Sequence, residues 1–136
     1  MNSKIFSYPT YIKETHLDAF GHMNNAAYLT VFEEARWDLI TKNGFGIEKI
    51  NEIGLGPTIL EVHLKYLREL KARDVVDIQT RLISYQKKIG VLEQTFVRGA
   101  EVCAQAQFTF GLFSIKERKL VLPTPEWLKA IGFEDV

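Results

Sequence analysis

Hydrophobic residues along the chain follow two periods, and the first of them predicts one long helix. Residues 26–40 carry apolar side chains at 28, 29, 31, 32, 35, 37, 39 and 40, which cover most of a helix's circumference. Asn24 and Asn25 precede this segment and are typical N-cap residues, while Asn43 and Gly44 supply a stop. A helix that is apolar nearly all round is a buried one, so other elements must surround it.

The second period is an alternation of apolar and polar positions, which predicts strands that could surround the helix. The predicted strands span residues 58–70, 74–84, 89–98 and 102–115. Their short connections imply antiparallel neighbours. A first strand is predicted at residues 5–12, where Pro9 favours an edge position, and a short terminal helix at residues 123–131.

The lengths of these elements suggest how they fit together. The long helix would measure about 27 Å at about 1.5 Å per residue. A 13-residue strand would reach about 43 Å if straight, so strands longer than the helix are expected to curl around it. We therefore predict an α+β fold in which a curved five-stranded antiparallel sheet wraps one long buried helix, with residues 1–136 forming a single domain.

Composition and charge exclude several functional classes. The 17 Lys and Arg balance the 17 Asp and Glu, which argues against nucleic acid as the main partner. No apolar run approaches the roughly 20 residues that a membrane span requires. The lone Cys103 cannot form an intramolecular disulfide and is expected to pack in the core. These features predict a soluble protein of the cytoplasm.

Inspection finds few of the common catalytic motifs. The chain has no Gly-x-Ser-x-Gly elbow, no phosphate-binding loop ending in Gly-Lys-Ser/Thr, and neither a Cys-x-x-Cys pair nor a His-Glu-x-x-His motif for a metal. What remains is a polar segment, residues 15–28, that runs directly into the predicted helix. It contains Asp18, His22, Asn24 and Asn25 within eight residues, with Gly21 available for a sharp bend.

This segment has the groups needed to attack a carbonyl. The start of a helix carries unpaired backbone amides and the positive end of the helix dipole, which together stabilise an oxyanion. Asp18 lies a few residues upstream and could present a nucleophile or a base. Thioesters suit a site with so few catalytic groups, because sulfur donates electron density poorly into the carbonyl and leaves the carbonyl carbon electrophilic. On local chemistry alone, however, Asp, Asn and Gly before a helix are more often turn and cap residues.

A longer pattern resembles a known enzyme family. The pattern is Asp18-x-x-Gly21-His22-x-Asn24-Asn25-x-x-Tyr28-x-x-x-x-Glu33-x-Ala35-Arg36. It resembles the hotdog-fold acyl-CoA thioesterases, in the branch related to 4-hydroxybenzoyl-CoA thioesterase. Weaker pieces extend the resemblance over nearly the whole chain: Val62-x-Leu64-x-Tyr66, Arg73-Asp74-x-Val76 and Leu122-Pro123.

The resemblance implies a fold, an activity and an assembly. It implies a hotdog fold that hydrolyses an acyl-CoA to a free acid and CoA, without a metal or an organic cofactor. It also implies homodimers or homotetramers with active sites between subunits. The family's catalytic carboxylate matches Asp18, acting as a nucleophile or as a base for water. Its oxyanion amide matches the helix start, here near Asn24 and Asn25.

Other residues are secondary candidates. His22 could orient Asp18 or the substrate, although a structural histidine is an equally good interpretation. Tyr28 could line the acyl pocket. The phosphates of CoA favour basic side chains. The candidates are Lys87 and Lys88 at a hairpin tip, which are the first choices, and Lys71, Arg73 and Arg68, with a solvated turn as the alternative for each.

Three further functions stay open from the residues alone. One is thioester hydrolysis on an acyl carrier protein instead of CoA. A second is a hotdog dehydratase or hydratase acting on 3-hydroxyacyl or enoyl thioesters, in which His22 would pair with a carboxylate. A third is a non-catalytic module that binds acyl-CoA, which the presence of Asp18 disfavours.

Overall fold

The long helix and the strands form as the hydrophobic periods require. The computed structural model describes residues 2–135, and in them an antiparallel sheet curves around one helix. The strands are β1 (Ile5–Tyr11), β2 (Leu55–Tyr66), β3 (Val75–Gln86), β4 (Ile89–Arg98), β5 (Glu101–Ser114) and β6 (Lys119–Val121). The helices are α1 (Asn25–Lys42), α2 (Ile47–Ile53) and α3 (Pro125–Ala130), with a 3-10 turn at Glu14–His16.

The sheet has the order β1-β3-β4-β5-β2, and short β6 also pairs with β5. All of these pairs are antiparallel, as the short connections predicted. Pro9 lies in edge strand β1 opposite Asp77, where its missing N–H costs the sheet little. The other edge is β2, which is bonded to β5 on one side only.

A bulge changes which side chains of β2 face the helix. Ile59 pairs with Phe110 and Glu61 with Thr109, so Leu60 is an extra residue in β2. Beyond the bulge, Val62 pairs with buried Phe108 on the inner face of the sheet. The simple alternation expected for residues 58–70 therefore shifts by one residue within β2.

Aromatic rings join α1 to the inner face of the sheet. Phe32 is fully buried and meets Phe96 of β4 and Phe108 of β5 edge to face, with ring centroids 4.8 and 5.7 Å apart. Tyr28, one turn earlier on α1, meets Phe96 at 5.0 Å. These contacts fix α1 along the concave side of the sheet.

The expectation that α1 is enclosed on every side is only partly met. Leu29 and Trp37 on α1 and Ile59 and Val62 on β2 are each between 38 and 41 % exposed. We call these four residues the α1–β2 strip. The sheet of one chain covers the opposite side of α1, and its last strand, β2, leaves this side open.

Two short elements escaped the sequence prediction. Helix α2 lies between Gly46 and Gly54, and seven residues are too few to establish a helical period. Strand β6 has three residues and gives the sheet a sixth strand instead of the predicted five. None of the helices in the described residues is long and apolar enough to span a membrane.

We expect Phe32→Ala to destabilise the protein by about 3–5 kcal/mol, because it opens a cavity where α1 meets β4 and β5. The matched control is Phe20→Ala, since the Phe20 ring is 83 % exposed and its removal leaves no cavity. Urea unfolding of both variants measures the difference. Equal midpoints for the two would contradict the packing described for Phe32.

Candidate active site

The segment before α1 folds into a tight turn. The Asp18 N–H donates to the His22 carbonyl oxygen at 2.8 Å, and the Gly21 N–H donates to the Asp18 carbonyl oxygen at 3.2 Å. Gly21 has φ +83°, a left-handed conformation that a residue without a Cβ adopts at little cost. The turn therefore brings Asp18 and His22 together and directly precedes the start of α1.

The carboxylate of Asp18 is held by one of its two oxygens. Oδ1 accepts hydrogen bonds from the N–H groups of Phe20 at 2.9 Å and His22 at 3.2 Å. Within residues 2–135, Oδ2 has no hydrogen-bond donor. The turn thus gives the carboxylate a fixed orientation and leaves Oδ2 available for chemistry.

The first turn of α1 leaves the amide of Asn25 free. Asn24 is the N-cap, and its Oδ1 accepts from the Ala26 N–H at 2.8 Å. The Asn24 N–H itself donates to the His16 carbonyl oxygen at 2.8 Å, which occupies it. No acceptor for the Asn25 N–H lies among the described residues. The amide of Asn25 is therefore the donor that the helix start can offer to a ligand oxygen.

A groove of about 390 Å³ joins Asp18 to this helix start. The Tyr66 hydroxyl donates to the Asn25 carbonyl oxygen at 2.9 Å and ties the end of β2 to the first residue of α1. The lining residues are Asp18, His22, Met23, Asn25, Tyr28, Tyr66, Leu67, Arg68 and Glu69. Three of the four predicted catalytic residues, Asp18, His22 and Asn25, line it, and so does Tyr28.

Tyr28 is a neutral phenol in the wall of the groove. Its ring is almost fully buried and meets Tyr66 edge to face at 5.0 Å. Burial raises the pKa of Tyr28 to about 12, with smaller contributions from Cys103 and Tyr66. The hydroxyl therefore stays protonated at neutral pH, and Tyr28 is suited to shaping the groove and unsuited to acting as a base.

Sequence reasoning missed Glu69 as a partner of His22. Nε2 of His22 lies 3.0 Å from Oε2 of Glu69, and both residues line the groove with Asp18. Glu69 follows β2 and is 47 residues from His22, so no local pattern could have joined them. The pair fixes the orientation of the imidazole ring while the backbone N–H of His22 holds Asp18.

Arg73 lies outside the groove. Nε and Nη2 of Arg73 donate to the two carboxylate oxygens of Glu14 at 2.9 and 2.8 Å, and its guanidinium lies 5.3 Å from the centre of the Tyr11 ring. These contacts with Glu14 raise the pKa of Arg73. An arginine paired in this bidentate way has fewer donors left for a phosphate.

Lys87 and Lys88 occupy the predicted hairpin tip between β3 and β4, at the far end of the sheet from Asp18. Twelve residues of β3 separate this tip from the end near the groove, a distance of about 40 Å along an extended strand. Within one chain these lysines do not reach the groove. Arg68 is the cation that lines it, and its Nε lies 3.2 Å from Oε2 of Glu101.

Comparison with known proteins identifies the family. Residues 13–131 match the family model of the thioesterase-like superfamily. The chain is 30 % identical over 110 residues to the long-chain acyl-CoA thioesterase FadM of Escherichia coli, a match that covers 79 % of this chain and 83 % of that protein. It is also 30 % identical over 88 residues to a betainyl-CoA thioesterase of Pseudomonas aeruginosa, covering 65 % and 55 % of the two chains.

Solved structures have the same fold. A probable thioesterase of Escherichia coli, YbaW, superposes with a TM-score of 0.81 at 26 % identity, covering 91 % of this chain and 94 % of that one. A Staphylococcus aureus protein solved in complex with CoA superposes with a TM-score of 0.87 at 18 % identity, covering 96 % and 84 %. The chain belongs to the thioesterase-like superfamily. The predicted hotdog fold and the prediction of a thioester hydrolase acting on acyl-CoA are confirmed.

We expect Tyr28→Phe to reduce the loss of stability at alkaline pH. The unfolded chain releases the tyrosine proton near pH 10 and the folded chain near pH 12, so the stabilisation linked to Tyr28 is complete below pH 10 and falls as pH rises towards 12. By this linkage Tyr28 alone contributes a loss of about 1 kcal/mol between pH 9 and pH 11.

Urea unfolding of wild type and Tyr28→Phe at both pH values measures this contribution. Tyr11→Phe is the matched control, because the Tyr11 ring is 41 % exposed. An identical pH dependence for wild type and Tyr28→Phe would contradict the raised pKa.

Proposed function

We propose that residues 1–136 act as a single domain that hydrolyses acyl-CoA thioesters with Asp18 as the catalytic carboxylate. The observation that carries this proposal is the shared groove, which is lined by both Asp18, whose Oδ2 is free, and Asn25, whose N–H is free. A carbonyl placed between them has an attacking group on one side and an oxyanion donor on the other.

The proposed reaction begins with the thioester oxygen bonded to the Asn25 N–H. In one route, Oδ2 of Asp18 accepts a proton from a water molecule whose oxygen bonds to the carbonyl carbon. In the other, Oδ2 bonds to that carbon and water then cleaves the mixed anhydride. In both, the carbon–sulfur bond breaks, CoA leaves as a thiolate that takes a proton, and the carboxylic acid remains.

Single-turnover hydrolysis in heavy-oxygen water separates the two routes. Heavy oxygen in the Asp18 carboxylate arises only from the anhydride route, by water attack at the aspartyl carbon. Peptide mass spectrometry of the recovered protein detects that label.

The secondary residues take supporting roles in this proposal. His22, oriented by Glu69, positions Asp18 through its backbone N–H. Arg68 is the groove's cation for a CoA phosphate, and Lys87, Lys88 and Arg73 would contribute only from another subunit or at the periphery. The proposed compartment is the cytoplasm, where the buried Cys103 thiol would stay reduced.

We also propose that two chains associate through β2 to form the active assembly. An edge strand of 12 residues exposes unpaired backbone groups along its free side, and the α1–β2 strip beside it exposes large apolar side chains. The same surface on a second chain would cover both features in a two-fold dimer. The groove reaches Tyr66 at the end of β2, so the partner would border each active site.

We expect Asp18→Asn to lower kcat by about 100-fold or more, because the amide neither attacks a thioester nor accepts the proton of water. Release of free thiol from short, medium, long and aromatic acyl-CoAs measures the rates. Asp135→Asn is the matched control, since Asp135 is exposed and contacts Asn2, away from the groove. A folded Asp18→Asn protein with the parent's rate would overturn the assignment.

We expect Val62→Lys to weaken the dimer, because it places a charge in the α1–β2 strip. Sedimentation velocity should show a smaller species than for the wild type at the same concentration. Val75→Lys is the matched control, because Val75 is 71 % exposed on β3, where it pairs with Tyr11 of the opposite edge strand β1. A monomeric wild type, or an unchanged mass for Val62→Lys, would contradict association through β2.

A further inference from the structure

Five cations lie at the end of the sheet far from the active-site groove. Two of them form the tip of the β3–β4 hairpin, and three belong to the β5–β6 turn and the first residue of β6. They are Lys87, Lys88, Lys116, Arg118 and Lys119. The two turns contain a single acid, Glu117. Because the whole chain has no formal net charge, this end is positive and the rest of the chain carries the balancing negative charge.

The register of the sheet brings the two turns side by side. On one side of β5, β4 pairs as far as Phe110 and β6 pairs from Leu112 onward, while β2 occupies the other side along the same residues. The hairpin tip before β4 therefore lies next to the end of β6. Lys87 of the tip and Leu122, which follows β6, line the same shallow groove, in agreement with this placement. The cations thus form one surface.

The cations at this end lack close carboxylate partners. Among residues 2–135, four of the five have no carboxylate oxygen within 4.0 Å, and Lys119 has one at that distance, from Glu117. At the groove end, by contrast, Arg68, Arg73 and Arg98 each pair with a carboxylate at distances between 2.8 and 3.2 Å. The positive charge of the far end is therefore available to an external anion.

Turn geometry alone does not account for these cations. Lys87 has φ +53° and Arg118 has φ +57°, so each turn places a long cationic residue in the left-handed region of backbone conformation. Glycine and asparagine adopt that region at lower cost. The presence of a cation at both positions therefore favours a role for the charge itself.

Large aliphatic side chains lie exposed among the cations. Ile89 directly follows the hairpin tip, Ile115 begins the β5–β6 turn and Leu122 follows β6, and these residues are 37, 46 and 61 % exposed. We call the five cations and these three residues the basic end. A small soluble anion would satisfy the charges and leave the aliphatic side chains in water. The interface of an anionic bilayer suits both, because it offers lipid phosphates beside an apolar interior.

We propose that the basic end docks the protein on the surface of an anionic lipid membrane. The contact is peripheral: the cations of the two turns meet the lipid phosphates, and the aliphatic side chains enter the boundary between headgroups and acyl chains. Binding therefore requires anionic lipid and weakens as salt screens the charges. Docking uses a surface separate from the groove and needs no hydrolysis, so this inference goes beyond the proposed function and does not depend on it.

Co-sedimentation with lipid vesicles tests the proposal. One set of vesicles is phosphatidylcholine alone, and the other is equal parts phosphatidylcholine and phosphatidylglycerol, both at low ionic strength. Each Lys or Arg near an anionic surface raises the partition coefficient by a factor of about 5. We therefore expect wild type to partition onto the anionic vesicles about 10-fold or more above the neutral ones, and added salt to release it.

Matched variants locate the contact. We expect Lys116→Gln/Lys119→Gln to lower partitioning onto the anionic vesicles by about 10-fold or more. The control is Lys13→Gln/Lys65→Gln, which changes the net charge equally but removes two exposed lysines at the groove end, and it should retain binding. Leu122→Gln should weaken binding by about 3-fold or more, since it removes an aliphatic group from the interface. Thermal unfolding checks that each variant is folded.

Several outcomes would overturn the docking surface. They are equal partitioning of wild type onto both kinds of vesicle, binding to neither, and full binding by Lys116→Gln/Lys119→Gln. If that variant keeps vesicle binding and raises KM for acyl-CoA, the cations serve CoA phosphates and the membrane assignment is wrong. Binding to polyglutamate without binding to vesicles would assign the basic end to an acidic protein instead. Acyl-CoA hydrolysis is measured without vesicles, so its absence would overturn the proposed function and leave this inference standing.

Discussion

The packing of α1 against the concave face of the sheet is the constraint on which the site depends. Phe32 and Tyr28 press against Phe96, and the Tyr66 hydroxyl holds the Asn25 carbonyl oxygen. These contacts fix the start of α1 at the end of β2. Because the free N–H of Asn25 is part of the backbone, its direction is set by the position of the whole helix. A backbone donor held in this way would need little reorganisation in the role proposed for it.

The turn at Asp18 is a second constraint, and it serves structure and chemistry together. Oδ1 holds the turn in the way that aspartates commonly do, and Oδ2 remains open to the groove. The structural and catalytic interpretations of this residue are therefore compatible, since each uses a different oxygen. The same division applies to the helix start, where Asn24 caps α1 and Asn25 leaves its amide free.

The open side of the molecule links the groove, the edge strand and a cavity lined by Arg36. The α1–β2 strip borders all three, so in the proposed dimer a partner chain that covers it would also border the groove. Beside the groove lies the neutral phenol of Tyr28, whose pKa burial raises to about 12.

The sequence by itself determined the main elements and the family, and it predicted the reacting group. The period of residues 26–40 predicted α1, the alternation of the later segments predicted four strands, and Pro9 predicted an edge strand, because these features depend on neighbours close in the chain. The pattern around Asp18 and Asn25 indicated the family and the reacting carboxylate. Elements as short as α2 and β6 have too few residues for a hydrophobic period to be recognised in the sequence.

Only the tertiary structure decided which distant residues meet. It paired His22 with Glu69, tied Arg73 to Glu14, and placed Lys87 and Lys88 at the far end of the sheet. It also showed half-buried Arg36 bonded to Gln94 beside a mainly apolar cavity. These contacts join side chains tens of residues apart in the chain. They follow from the curvature and register of the sheet, which the alternation of residues within a single strand does not specify. Local periodicity therefore specified the helices and strands, and packing specified which side chains from different elements meet.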